Sequence, residues 1–379
     1  MDFNFSEEQR LLGESVERFI QNDYTFAARQ KIVGEELGFD RTHWKTFAEL
    51  GWLGVPFAEE DGGFGGGSTE VMLLMERFGR GLVVEPYLGT VLLAGRAIAL
   101  AGSRTQKERW LTRIVEGSLL AAYAVTEPQS RFAVTDIACT AQADGAGFVL
   151  NGQKAVVLHA ASADIYIVAA RTSGARRDRA GVSLFVVEAS NAAGISRRDY
   201  HTVDEQRASE VTFTNVPVGA DALLGNVGAA ADVLERLNDE GAFAVAGEAV
   251  GMMEVLYKNT VDYTKQRQQF GQPISQFQVL QHRMVDMFME YELSKSLLLM
   301  AAMRLDKAYD DTARRAVSAL KVQVGKSGRF VAQNAVQLHG GMGMTEELAI
   351  GHYFKRMTVI DAQFGNVDHH LRRFGSIAA

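Results

Sequence analysis

Four short stretches of this chain hold residue types that could bind a nucleotide or move a proton. In "RQQFG" (267–271), Arg267 is a permanent planar cation suited to a dinucleotide pyrophosphate, and Phe270 offers a ring to adenine or ribose. "QLHGG" (337–341) sets Gly340 beside Gly341, and residues without a Cβ let backbone approach a cofactor closely. "YAVTEP" (123–128) places the Thr126 hydroxyl directly before a Glu-Pro pair. The fourth, "LNDEGAFAVAGEAVG" (237–251), carries the carboxylates of Asp239, Glu240 and Glu248 in largely apolar company. A carboxylate desolvated there would have a raised pKa, which suits proton abstraction. Singly, each stretch has a plainer reading. Arg267 is then an exposed charge, the glycine pair a helix end, Phe270 a core ring and Thr126 a strand residue. Glu240 becomes a solvated first-turn carboxylate favoured by the helix dipole, and Glu248 a buried acid in need of a partner, either Arg267 or a polar substrate group.

Other chemistries find less support. One cysteine, Cys139, cannot form an internal disulfide, and with the histidines scattered no metal-ligand spacing appears. Cys139 reads as a small buried hydrophobe. The run "EEDGGFGGGSTE" lacks the preceding strand and the Lys-Ser/Thr ending of a phosphate loop, so it reads as a loop that ends in the cap of the next helix. With 39 Lys and Arg against 46 Asp and Glu the net charge is −7, which argues against nucleic acid as a partner. No apolar run is long enough to span a bilayer, and "MDFNFSEEQR" has neither a basic leader nor an apolar signal core, so the expectation is a cytoplasmic protein.

The elements that must position these residues follow from periodicity. Up to about residue 118 the pattern is helical, with Ser6 and Gln9 forming a capping box, Gly51 ending a short helix, and helical spacing over 69–85, 89–101 and 104–116. From residue 119 to 225 the period becomes two: "LLAAYAV", "FVLNGQKAVVL", "DIYIVAAR", "GVSLFVVEA" and "SEVTFTNVPV" read as strands. Turn signals stand at "ADGAG", Asn151-Gly152, "TSGARRDRAG" and "SNAAG". Beyond Val227 four long helices are expected, about Ala231 to Gln269, Phe277 to Tyr309, Thr312 to His339 and Glu346 to Phe374, the last broken near Gly365. The fold class is α+β: an N-terminal α-helical domain (1–118), a middle antiparallel β domain (119–225) and a C-terminal four-helix bundle (226–379).

"YAVTEP", "RQQFGQPISQFQVLQHRMVDM" (267–287) and "QLHGGMGMTEE" (337–347), in this order within this pattern, resemble acyl-CoA dehydrogenases, flavoproteins that oxidise the α,β bond of acyl-CoA thioesters. The resemblance spans essentially the entire chain and implies FAD as cofactor. It implies that Arg267, Phe270, Phe277, Gln278 and the segment Gln337, Leu338, His339, Gly340, Gly341 serve FAD, those of the "RQQFG" motif reaching the flavin of a neighbouring subunit. Tyr123, Val125 and Thr126 would meet the isoalloxazine edge, whose polar rim needs hydrogen bonds. It further implies an oligomer, expected as a tetramer of one chain or of two related chains, and an electron-transfer flavoprotein as electron acceptor.

The chain also departs from the family pattern. Most members carry the catalytic carboxylate in a Tyr-Glu-Gly-Thr segment, and the count from Gln337 reaches Phe364, followed by a matching Gly365. A minority place the base on the helix before "RxxFG", in a sequence like Asp-Leu-Glu-Arg, where this chain has Asp239 in register but Gly241 and Ala242 for the Glu-Arg pair. Glu240 is one residue early, a rotation of about 100°, and Glu248 lies on Gly241's face about 10 Å further along. Gln129, Ser130, Arg131, Phe132 and Ala133 replace the usual Gly-Ala-Gly-Ser-Asp, and "VVL" (156–158) replaces the Trp-Ile-Thr that covers the flavin. Two readings follow: an active dehydrogenase with Glu240, or less favourably Glu248, as base, or an FAD-sharing subunit of a heteromeric dehydrogenase whose partner supplies the base. A flavin oxidase or monooxygenase on the same fold is a third. In either of the first two, Asp239, Phe364 and Gly365 are candidate substrate contacts, the Phe364 N–H lying where relatives donate to the thioester oxygen. His369 and His370 read as residues favoured at a helix terminus.

Overall fold

The computed structural model describes residues 5–190 and 193–377. The amino-terminal residues 1–4 and the middle of the "SNAAG" turn lie outside the described residues. The chain opens with α1 (Glu7–Asn22), α2 (Phe26–Gly34), α3 (Arg41–Glu49) and α4 (Ser68–Gly81). Ser6 and Gln9 form the expected capping box on α1. The next helical segments differ from simple α-helices: a π-helical stretch, Tyr87–Gly95, runs into α5 (Arg96–Ala101), and α6 (Arg104–Gln106) and α7 (Thr112–Val115) flank a second one, Lys107–Leu111. After the sheet come α8 (Ala231–Gln266), α9 (Gln278–Lys307), α10 (Asp311–His339), α11 (Ala349–Ala362) and α12 (Val367–Ser376). The last expected helix is therefore two, separated by the turn that contains Gly365.

Contacts gather the chain into two compact units. One holds the chain up to Lys31, Gly67–Val83 and everything from Ala242 onward; the other holds Ile32–Gly66 and Val84–Gly241.

The second unit is built on an eight-stranded sheet: β1 (Ala121–Ala124), β2 (Thr140–Asp144), β3 (Gly147–Leu158), β4 (Ile165–Arg171), β5 (Val182–Glu188), β6 (Ile195–His201), β7 (Arg207–Val218) and β8 (Leu223–Leu224). Their order is β6-β7-β3-β2-β4-β5-β8, with β1 pairing β4. Most pairs are antiparallel as expected, but β1 runs parallel to β4, Ala121 facing Ile165 and Ala124 facing Val168, and β2 touches β4 in parallel at Thr140 and Arg171. The long excursion through β2 and β3 permits this, since only a tight hairpin forces antiparallel pairing. Strand β4 is buried at every residue, which accounts for its unbroken run "IYIVAA". Asn151-Gly152 is not a turn but lies inside β3: the hairpin turns at Gly145, and the register from Leu150 to Gly152 spans an extra residue of β7, a bulge at Asn215. Gly152 is required there because a Cβ would stand 2.6 Å from Cys139 Cα. A second bulge, on β3 itself, falls between Lys154 and Val157.

The first unit is helical. Gly79 of α4 and Gly251 of α8 let the two backbones touch: a Cβ at either would lie 2.0 Å from the Glu248 carbonyl or 1.8 Å from that of Glu76. The glycine-rich run ends in a helix cap, as its sequence indicates. Gly67 donates its N–H to Glu70, and the Ser68 and Thr69 N–H groups at the start of α4 are bound by the Asp306 carboxylate of α9.

Candidate functional site

In the helical unit, α8 ends at Gln266 and the chain turns through a two-residue hairpin whose strands pair Gln268 with Pro273 and Gln269 with Gln272. Phe270 and Gly271 both take positive φ, 55° and 79°, as a primed hairpin turn demands. Phe270 accepts a conformation that costs a non-glycine residue roughly 1–2 kcal/mol and is 91% exposed, touching Phe277 edge-on. The ring is therefore held outward instead of forming part of a core. Arg267 is exposed as well, and among the described residues its guanidinium has no carboxylate partner. Gln278, the first residue of α9, is also exposed.

Gln337 and Leu338 end α10, the amide exposed and the leucine buried. His339 is buried: it stacks on Tyr263 at 4.3 Å, its Nδ1 lies 2.8 Å from the Ala335 carbonyl, and burial lowers its pKa. Gly340 has φ 61°, and a Cβ at Gly340 or Gly341 would meet nothing within 4 Å. Exposed backbone with open space beside it, a cation, two free amides and an outward ring together fit a large, planar, anionic dinucleotide.

The Phe364–Gly365 turn joins α11 to α12, with φ 56° and 111°. Phe364 is half-buried and Gly365 buried.

Glu248 is also in this unit, and its partner is Arg356 of α11, not Arg267. The guanidinium grips both carboxylate oxygens at 2.6 Å, with the two side chains only 6% and 5% exposed. Such a carboxylate is already neutralised and fully hydrogen-bonded on one edge.

In the β unit, "YAVTEP" forms β1 and the turn after it. Val125 is buried, Tyr123 half-buried, and the Thr126 side chain exposed. The turn is fixed from beneath by a buried ion pair that sequence reasoning did not find. Lys154 Nζ lies 2.6 Å from Glu127 and donates to the Val125 carbonyl, while Glu127 accepts from the Ala138 and Cys139 N–H groups and from Gln129. Burial alone would raise the Glu127 carboxyl, but the charge and hydrogen bond of Lys154 outweigh it and hold the group below its ordinary value. A lysine at an inward position of a period-two strand was the available signal.

Downstream, Ser130 is turned inward, its hydroxyl bound to the Glu127 backbone. The loop it begins is held by Arg171, whose guanidinium donates to the carbonyls of Thr135, Ile137, Ser173, Arg176, Asp178 and Ala180. On β3 the bulge puts Val156 at φ 53° and 53% exposed, and Leu158 carries no hydroxyl.

Glu240 also belongs to this unit, on the first third of α8, and its surroundings correct the expectation of a raised pKa. Arg96 binds it bidentately at 3.0 and 2.9 Å, and Arg236, one turn earlier on α8, donates at 2.9 Å. Burial by itself would raise the carboxyl, but the Arg96 hydrogen bonds and charge, with those of Arg236, hold it below the ordinary range. Arg236, at i−4, was legible in the sequence; Arg96 was not, since it comes from the far side of the β segment. Asp239 is fully buried.

Helical segments precede and follow the strands in the chain, and exposed polar and aromatic groups stand at helix ends. Sequence profiles identify the chain: acyl-CoA dehydrogenase N-terminal domain over residues 6–118, middle domain over 122–216 and C-terminal domain over 231–375. The chain belongs to the acyl-CoA dehydrogenase family. It is 32% identical over 358 residues to acyl-CoA dehydrogenase FadE12 of Mycobacterium tuberculosis, covering 91% of this chain and 89% of that one. Among solved structures, a chain of the ChsE4-ChsE5 complex of the same organism superposes with a TM-score of 0.89 at 25% identity, covering 99% of this chain and 98% of that one. The FAD complex of PigA gives a TM-score of 0.91 at 26% identity, with 99% and 98% covered. No helix among the described residues is long and apolar enough to cross a membrane.

Proposed function

We propose that this chain carries out FAD-dependent α,β-dehydrogenation of an acyl-CoA thioester within an oligomer. The observation that carries the reading is the set of outward groups at the ends of α8 and α10, Arg267, Phe270, Gln337, Gly340 and Gly341, none of which is turned inward to serve the fold. FAD bound there would supply the hydride acceptor for the β-hydrogen of the thioester, and a carboxylate would take the α-proton. Arg267 would hold the pyrophosphate and Phe270 the adenosine of a neighbouring subunit's FAD, while the Phe364 N–H would polarise the thioester oxygen as enolate character develops. An oligomer is supported by the same hairpin and by α9, where Val285, Met289 and Leu293, spaced by four and each more than half exposed, form an apolar stripe. A tetramer and an electron-transfer flavoprotein as acceptor complete the reading.

A second reading is favoured by a specific observation. Glu240 and Glu248, the carboxylates proposed as base, are each bound by arginine, so a partner chain supplies the base and this one lends its FAD-binding groups. Anaerobic titration with short, medium and long straight-chain acyl-CoA thioesters separates the two. Bleaching of the flavin by the purified chain supports the homomeric enzyme, and bleaching only after a co-purifying second chain is restored supports the heteromer. A Glu240→Gln variant that bleaches as fast as the wild type eliminates Glu240 as base. A protein that neither retains flavin nor responds with any partner would overturn both.

A further inference from the structure

The turn from Gln363 to Asn366 contains two consecutive residues at positive φ, the first a phenylalanine. Such a conformation persists only where its surroundings over-determine it. Asn366 caps α12, its side chain accepting from the His369 N–H at 3.0 Å. His370, fully buried one position further on, reaches back: its Nε2 lies 3.0 Å from the Phe364 carbonyl, and its Nδ1 lies 3.4 Å from the Ser318 hydroxyl of α10. Arg373 donates to that hydroxyl at 3.0 Å, which leaves the Ser318 proton for Nδ1. Since a carbonyl only accepts, the ring must carry its proton on Nε2 and accept at Nδ1. His369 and His370 both pack on Gly365, so closely that a Cβ there would stand 2.5 Å from His369 Cδ2 and 2.7 Å from His370 Nε2. Glycine at 365 is thus explained by the two imidazoles as well as by its φ.

We infer that His370 is a positioning residue: oriented by Ser318 and Arg373, it clamps the Phe364 carbonyl and so aims the Phe364 backbone at the thioester. The inference rests on the thioester reading of Phe364 given above. The ring remains neutral for this task because burial, then the neighbouring Lys321 and His369, push its pKa down to about 3. Lys321, itself buried and donating to the Ile360 carbonyl at 2.6 Å, lies beneath the same joint.

Two measurements on the FAD-loaded full chain test this. Hydrogen exchange over 363–366 should quicken about tenfold in His370→Leu, which keeps bulk but no donor, and return toward wild type in His370→Gln, whose amide can reach the same carbonyl. Affinity for the acyl-CoA that perturbs the wild-type flavin spectrum should fall about tenfold in His370→Leu, while affinity for free CoA, which has no thioester oxygen, holds. Ser318→Ala should shift both readouts the same way by a smaller factor, and it decides the matter if His370→Leu does not fold. Unchanged exchange in the folded variants overturns the clamp. Changed exchange with equal loss of thioester and CoA binding reduces His370 to a structural role and overturns the aiming. If no acyl-CoA perturbs the wild-type spectrum, with or without a co-purifying second chain, the dehydrogenase reading fails separately, and with it the aiming, while the exchange result still decides the clamp.

Discussion

Glu248 and Arg267 are both charged residues in the helical unit, and both were candidates for chemistry, yet the fold treats them oppositely. Glu248 is sealed in and gripped by Arg356, while Arg267 stands in solvent at a helix end with a strained, exposed phenylalanine three residues on. The same contrast separates Glu240, held by Arg96 and Arg236, from Thr126, exposed at the end of β1. A side chain tied to internal partners serves the fold, and one held outward against its own conformational preference serves something that arrives.

The largest expected effect tests the sealed side of this contrast. Arg356→Ala leaves Glu248 buried without its cation and should destabilise the protein by about 3–5 kcal/mol, read by urea denaturation. The double variant Arg356→Met with Glu248→Gln should recover most of that loss; a single variant as stable as wild type would mean the pair is dispensable. On the outward side, Arg267→Ala should leave the unfolding midpoint of the apoprotein unchanged but weaken FAD retention roughly 10- to 100-fold, measured by flavin absorbance after gel filtration. A variant that melts early without losing flavin would reverse the assignment. Acid offers a third test. A carboxyl whose folded pKa is depressed stabilises fully above its unfolded value and loses that contribution as pH falls through the folded one, so Glu127 should steepen the loss of stability below about pH 4.5. Glu127→Gln should flatten the slope of urea midpoint against pH in that window. The smallest effect is expected from Phe270→Ser, within about 0.5 kcal/mol on the fold of the single chain, with a lower oligomer fraction in light scattering.

Much of this was legible in the sequence, for reasons that differ by residue. The capping box at Ser6, the end of α10 at the glycine pair and the break near Gly365 are local signals, settled by backbone chemistry within a few positions. The exposed placement of Arg267 and of the glycine pair was legible because both lie just past helix ends that the same signals locate. Partners of buried charges were not. Arg96 for Glu240, Arg356 for Glu248 and Lys154 for Glu127 lie 144, 108 and 27 residues away, and nothing in periodicity selects among the chain's arginines and lysines. Asn151-Gly152 misled for a related reason: a dipeptide that favours positive φ serves a bulge as readily as a turn, and only pairing with β7 decides.

Arg171 carries a consequence for how this chain can change over time. One guanidinium gathers carbonyls from the segment 135–137 and from the segment 173–180, which belong to different connections of the sheet. Lengthening either segment alone would pull carbonyls out of reach and leave donors buried without acceptors, so insertions in one are tolerated only alongside compensating ones in the other. A graft that exchanges one of these loops between relatives should therefore carry the other with it.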